Sequence, residues 1–188
     1  MKAIVTAAAL AAALLLPAHA APITVQGVDV PEQIQTQGEE LVRYGAGVRS
    51  KFFMKLYVGS LFSQKPGQDA EAILNSEAIS AVRLNIISSM ITSDRMIETI
   101  EEGFDAASGG KVAPLRERLD TFLSLFDEPV EVDDQFTMVS IPGVGVEAYK
   151  NGELLTLIEG DDFRRTLFGI WLGDQPADKK LKKAMLGQ

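Results

Sequence analysis

Cysteine is absent from all 188 residues, and the only histidine is His19. Without cysteine there are no disulfides, no thiol nucleophile and no thiolate metal ligand, so stability rests on the hydrophobic core alone. His19 lies in a segment read below as a leader, which leaves the rest of the chain without an imidazole. That excludes a Ser-His-Asp triad, a Cys-His pair and the usual zinc sites. Cations are also scarce, 18 Lys and Arg against 26 Asp and Glu, for a formal charge of −8. A chain this acidic is a poor partner for nucleic acid, whose phosphates require clustered Lys and Arg. What remains is carboxylates, Lys, Arg, Tyr and hydroxyls. That set permits oxygen-ligand metal sites, carboxylate acid/base pairs, or binding without catalysis.

Long apolar runs are lacking after the N-terminus. The first run, Ala3 to Leu16, follows Lys2, is broken by Pro17 and leads into Ala18-His19-Ala20. A positive start, a short apolar stretch and small residues at the two positions read by a signal peptidase predict a secretory signal over residues 1–20, cleaved before Ala21. The run is shorter than the ~20 apolar residues that span a hydrocarbon core. Residues 21–188 then form one domain of charge −9, expected in the periplasm of a Gram-negative-type cell with no stable membrane insertion after cleavage. Lys179, Lys180, Lys182 and Lys183 suit the solvated last turns of a helix better than a membrane patch.

Strands and helices come in blocks. Residues 41–62, rich in Val, Phe, Tyr and Leu, predict a strand pair turning near Ser50 to Phe53, with bends or bulges at Gly45 and Gly47. Lys65-Pro66-Gly67 marks a turn, and Asp69 starts a short helix to Asn75. Residues 81–88 alternate as a half-buried strand with Val82, Leu84 and Ile86 on one face. Ser93 and Asp94 cap a helix ending at Ser108-Gly109-Gly110, and Pro114 opens another bearing Leu115, Leu119, Phe122, Leu123 and Phe126. That stripe suits a core, a ligand cavity, or both. Strands follow at Gln135 to Ile141, Val144 to Tyr149 and Leu154 to Ile158, the last two joined by Asn151-Gly152, a type I′ hairpin signal. Asp161 or Asp162 caps a helix ended by Gly173, and a final helix covers Asp178 to Leu186. The fold class is α+β, an antiparallel sheet with helices packed mainly on one face.

The segment from Tyr44 to Phe62, with Gly-x-Gly-x-Arg and then Lys-x-Tyr, resembles the first strand pair of the chalcone isomerase family, and within it the non-plant, exported bacterial branch. Phe163 to Gly173, with Gln175-Pro176 and Leu181-Lys182, resembles that family's C-terminal helices. The resemblance implies an open-faced β-sandwich. It matches Arg49 to the arginine that plant enzymes turn toward an anionic flavonoid and that fatty-acid-binding relatives turn toward a carboxylate. Tyr57 stands where the enzymes have threonine and the binders tyrosine. The enzymes' tyrosine and asparagine are missing from Ser93 to Ile100, and their hydroxyl residue near Ile170 is aliphatic here. The resemblance therefore favours a non-catalytic binder without a cofactor.

The chemistry of Arg49 and Tyr57 agrees. A guanidinium offers a planar fork to a carboxylate, and a phenol adds a further donor. Eight residues apart, the two share strand parity, and a turn centred near Phe53 sets them opposite each other. The same residues also suit an ion pair with an acidic neighbour and a core aromatic, and that alternative stays open. Lys55 shares the face on this spacing. The expected ligand is a small amphipathic acid, fatty or phenolic, with its tail between the sheet and the helices carrying Phe104, Phe122 and Phe126. Two other functions remain: an isomerase or lyase on a phenolic substrate, and a structural or protein-interaction domain without a small ligand. The acidic residues Asp127, Glu128, Glu131, Asp133 and Asp134 lack the ligand spacing of a calcium loop, and no metal site is expected.

Overall fold

A computed structural model describes residues 21–65 and 67–188. The expected signal over 1–20 and Pro66 of the expected turn lie outside the described residues. The chain begins with a two-stranded hairpin, β1 (Ile23–Val25) and β2 (Val28–Val30). A seven-stranded antiparallel sheet follows in sequence order: β3 (Gln33–Thr36), β4 (Glu39–Lys51), β5 (Met54–Ser63), β6 (Ser80–Ile86), β7 (Gln135–Ile141), β8 (Gly145–Lys150) and β9 (Glu153–Glu159). Helices α1 (Ala70–Leu74), α2 (Ser93–Ser108) and α3 (Arg116–Leu123) are inserted between strands, and α4 (Asp161–Leu172) and α5 (Lys179–Met185) close the chain.

Strand alternation divides the core in two. Tyr57, Leu61, Val82, Leu84, Phe136 and Met138 face the helices and meet Phe104, Phe122, Phe126, Phe163 and Trp171. Residues between them in sequence, Val58, Phe62, Ala81 and Val139, face the other way and are covered by Val30, Ile34 and Leu41. The helices thus occupy one face, as expected for the α+β class. The β1–β2 cover of the other face is a layer that three-residue strands do not announce by periodicity.

Two tight turns differ in a telling way. Asn151-Gly152 joins β8 to β9 with φ of 52° and 87°, as the sequence predicts. The β4–β5 turn uses Phe52 and Phe53, at φ of 50° and 66°. Left-handed backbone costs about 1–2 kcal/mol for a residue with a side chain. A two-residue turn alone would pair Arg49 with Leu56. A bulge between Arg49 and Ser50 shifts the register, so that Ser50 pairs with Lys55 and Arg49 with Tyr57. The expected pairing therefore holds through a tight turn plus a bulge. A second irregularity lies between Arg43 and Gly45, near the expected site.

The caps show small shifts. Thr92 rather than Ser93 caps α2, accepting from the Arg95 amide, while Ser93 donates to the Glu128 carbonyl at 2.8 Å. Gly160 is the α4 cap, and Asp161 and Asp162 sit in its first turn. There they hold Arg164 (2.7 Å) and Arg118 (2.7 Å) instead. Asp178 caps α5, accepting from the amides of Lys180 and Leu181 at 2.8 and 3.1 Å. Helix α5 lies directly on β4 and β5 because glycines leave room: a Cβ on Gly47 would stand 2.5 Å from that of Ala184.

Candidate functional site

The β4–β5 bulge, α4 and the N-terminus of α5 bring Arg49, Tyr57, Trp171 and Asp178 together. Tyr57 is buried, and its hydroxyl accepts from the Trp171 indole N–H at 3.0 Å. Burial pushes its pKa up, while the Trp171 hydrogen bond and the nearby Arg49 charge pull the other way without prevailing. The phenol is thus protonated at neutral pH, a donor rather than a base.

Arg49 is 12% exposed at its side chain and reaches Asp178 Oδ2 with Nη1 at 3.4 Å, a single long contact rather than a fork. Nη1 also donates to the Ser50 carbonyl at 3.1 Å. Its Nε–H is buried and meets no acceptor among the described residues. An orphaned guanidinium N–H is expensive to bury, on the order of 1–3 kcal/mol or more. The Asp178 carboxylate is spread over four donors, since the Ser50 amide reaches Oδ2 at 3.3 Å. Burial raises its pKa, but the amides of Leu181, Ser50 and Lys180 and the Arg49 charge outweigh that and hold it below the usual range.

Two spaces adjoin this cluster. An open cleft of about 460 Å³ between α2 and residues 174–179 is lined by Arg49, Thr99, Gly103, Pro176 and Ala177. Behind it lies an apolar void of about 20 Å³ bounded by Tyr57, Met96, Phe126, Met138, Ile170 and Trp171. Thr99 and Ala177 border both. The space expected for a ligand tail is thus nearly closed. Phe122 and Phe126 border it, whereas Phe104 packs on Phe163 with ring centroids 5.2 Å apart.

Other residues singled out by sequence fall elsewhere. Lys55 is exposed and donates to Gln26 Oε1 at 2.7 Å, on the side of the β1–β2 hairpin. The bulge that aligns Arg49 with Tyr57 removes Lys55 from their face. Asp134 of the acidic loop is bound by Asn151 at 2.9 Å and Lys150 at 3.2 Å. No group of metal-ligating side chains occurs among the described residues. Asp178 and Trp171 belong to the site but were legible in the sequence only as a helix cap and part of a core stripe. Thr99, one position before Ile100 on that helix, gave no signal of its own.

The sequence model for the family described as chalcone isomerase-like matches residues 22–187. The chain belongs to the chalcone isomerase-like family. Among solved structures it is similar to a fatty-acid binding protein of Arabidopsis thaliana, with a TM-score of 0.66 and 16% sequence identity over 85% of this chain and 92% of that one. At that identity the likeness is one of fold. No curated protein matches the chain.

Proposed function

We propose that this chalcone isomerase-like domain is an exported, non-catalytic binder of a small amphipathic carboxylic acid of the fatty-acid class, held by its carboxylate at Arg49 and Tyr57. The observation that carries this is the buried Arg49 Nε–H without an acceptor. The Tyr57 hydroxyl accepts from Trp171 and lies beside the Arg49 guanidinium, itself a donor, which leaves the phenol proton for an acceptor as well. A carboxylate at the inner end of the cleft satisfies both donors, by charge-assisted bonds to the guanidinium and one to the phenol. The similar Arabidopsis structure is that of a fatty-acid binding protein, which supports the same class of ligand.

A void of about 20 Å³ has room for about one water molecule and none for an alkyl chain, so the tail enters only as the core parts. Its wall suits such opening, because Met96 and Met138 are flexible thioethers that repack readily. Each methylene then gains about 0.8 kcal/mol. Burial keeps the Tyr57 phenol from acting as a base, and Ile170 beside it is aliphatic and offers no acid or base, which favours binding over catalysis.

Calorimetric titration with acids of increasing chain length tests the proposal. Affinity is expected to rise with length, to fall clearly in Arg49→Lys, which keeps the charge but loses the fork, and to fall by about 1 kcal/mol in Tyr57→Phe. Equal binding by all three proteins, or by none, leaves Arg49 a structural residue paired to Asp178. Export is checked separately: protein recovered from the periplasm should have the intact mass of a chain starting at Ala21, and retention of Lys2 rejects it.

A further inference from the structure

Phe53 is fully exposed and Phe52 is 80% exposed, at the end of a hairpin whose strands run to thirteen and ten residues. Both rings sit on left-handed backbone. Asn-Gly is the natural occupant of such a turn and this chain uses it at residues 151 and 152. Phe-Phe therefore adds backbone strain and exposes apolar surface, and neither contributes to folding. Local choices that contradict the fold in this way concentrate at functional sites.

Charge around the tip runs against that of the whole chain. From Leu41 to Gln68 the sequence holds five cations, Arg43, Arg49, Lys51, Lys55 and Lys65, and no carboxylate, in a protein of net charge −8. Lys51 and Lys55 flank the aromatic pair, and both are exposed. Arg95 and Lys51 both line a groove of about 240 Å³ whose apolar wall is Met54, Leu56, Met90 and Ile91, while Lys55 stands on the other side of the tip, beside Gln26. The opposing charges are Glu98 in the groove and Asp94 in the first turn of α2. Thr99 borders this groove, the Arg49 cleft and the apolar void alike.

We propose that the Phe52-Phe53 tip docks the domain on an anionic lipid bilayer. The two rings lie at the level of the headgroups, while Lys51, Lys55 and Arg95 meet the lipid phosphates. Aromatic side chains with flanking cations are suited to that interface, where apolar burial and attraction to anionic lipid add. The domain lies on the membrane without spanning it, and no described helix is long and apolar enough to cross one. Docking sets the mouth of the groove against the bilayer, and, resting on the binding function proposed above, Thr99 marks where an acid leaving the bilayer passes to Arg49.

Vesicle flotation of the chain beginning at Ala21, which carries every described element, tests this with phosphatidylcholine vesicles containing one quarter phosphatidylglycerol. The wild type should float with these vesicles, more weakly with pure phosphatidylcholine, and less as salt is raised. Phe52→Asn/Phe53→Gly should lose at least tenfold in partitioning while its Tm stays equal or rises, because Asn-Gly relaxes the turn. Lys51→Glu/Lys55→Glu should lose binding to the anionic vesicles selectively. The idea is overturned if the wild type stays in solution, if the Asn-Gly variant floats as the wild type does, or if the tip instead drives association between copies in sedimentation. Titration with a water-soluble eight-carbon acid separates the two proposals. The Asn-Gly variant should bind it as the wild type does. Vesicle binding with no acid binding overturns only the carboxylate site; acid binding with no vesicle binding overturns only the docking.

Discussion

Asp178 competes with any bound acid for Arg49. Its Oδ2 stands 3.4 Å from the guanidinium, and its depressed pKa keeps it ionised wherever a fatty acid is ionised. Its other oxygen caps α5, a role that asparagine fills about as well. Asp178→Asn is therefore expected to keep the helix and remove the competing charge, tightening binding of a carboxylate roughly three- to tenfold at low salt, the ~1 kcal/mol of two unit charges about 4 Å apart in a water-like dielectric. Titration beside a melting curve checks this. If Arg49 and Asp178 are only a structural pair, the variant melts earlier and gains no affinity. Parity along the chain suggested the alignment of Arg49 with Tyr57, but the bulge beside Ser50 is what produces it, and the same bulge takes Lys55 off their face. Asp178 and Trp171 stayed hidden because they arrive from 129 and 114 residues away, at distances no local pattern encodes.

At the level of elements, the site depends on α5 lying close on β4 and β5. Gly47 and Gly59 provide that closeness, with Leu181 side-chain carbons 3.4 Å and 3.2 Å from where their Cβ atoms would be. Gly47→Val would drive a side chain into Ala184, and an overpacked contact of this kind costs about 1–3 kcal/mol. Displacing α5 also moves Asp178 away from Arg49. The expected result is faster amide exchange across residues 178–186 together with a lower Tm, measured by hydrogen exchange and calorimetry. Unchanged exchange there would mean that the sheet bends instead. The sequence suggested bends or bulges at Gly45 and Gly47. The structure uses Gly47 for the approach of a helix, a use invisible until the last helix is folded back onto the first long hairpin.

On the scale of the whole molecule, the nearly closed core sets a balance between stability and binding. Met138 is buried on β7 and borders both the helix layer and the apolar void. Met138→Ala should cost about 2–5 kcal/mol in the free protein through lost contacts and cavity formation. In the presence of a long-chain acid, part of that loss should return, since the ligand fills the space and binding to the native state alone adds stability. Melting curves with and without the acid measure it: a larger ligand-induced Tm rise in Met138→Ala than in wild type is expected. An equal or smaller rise would mean that the tail lies outside this void.

Composition and periodicity by themselves determined what the molecule is made of. Absence of cysteine and of histidine beyond His19 removed whole classes of chemistry, and alternation at 81–88, 135–141 and 144–158, with helical stripes at 93–108 and 161–172, determined an α+β domain. These are local properties, because a strand's period of two and a helix's of 3.6 are written in consecutive residues. Only tertiary structure decided that β1 and β2 cover the outer face, that Phe52 and Phe53 form the exposed tip, that Lys55 turns away from Arg49, and that Arg49 keeps one N–H without an acceptor. Each depends on register or on partners distant in sequence. A bulge of one residue reverses every later side chain on a strand, and a buried hydrogen bond exists only once both of its ends have been brought together.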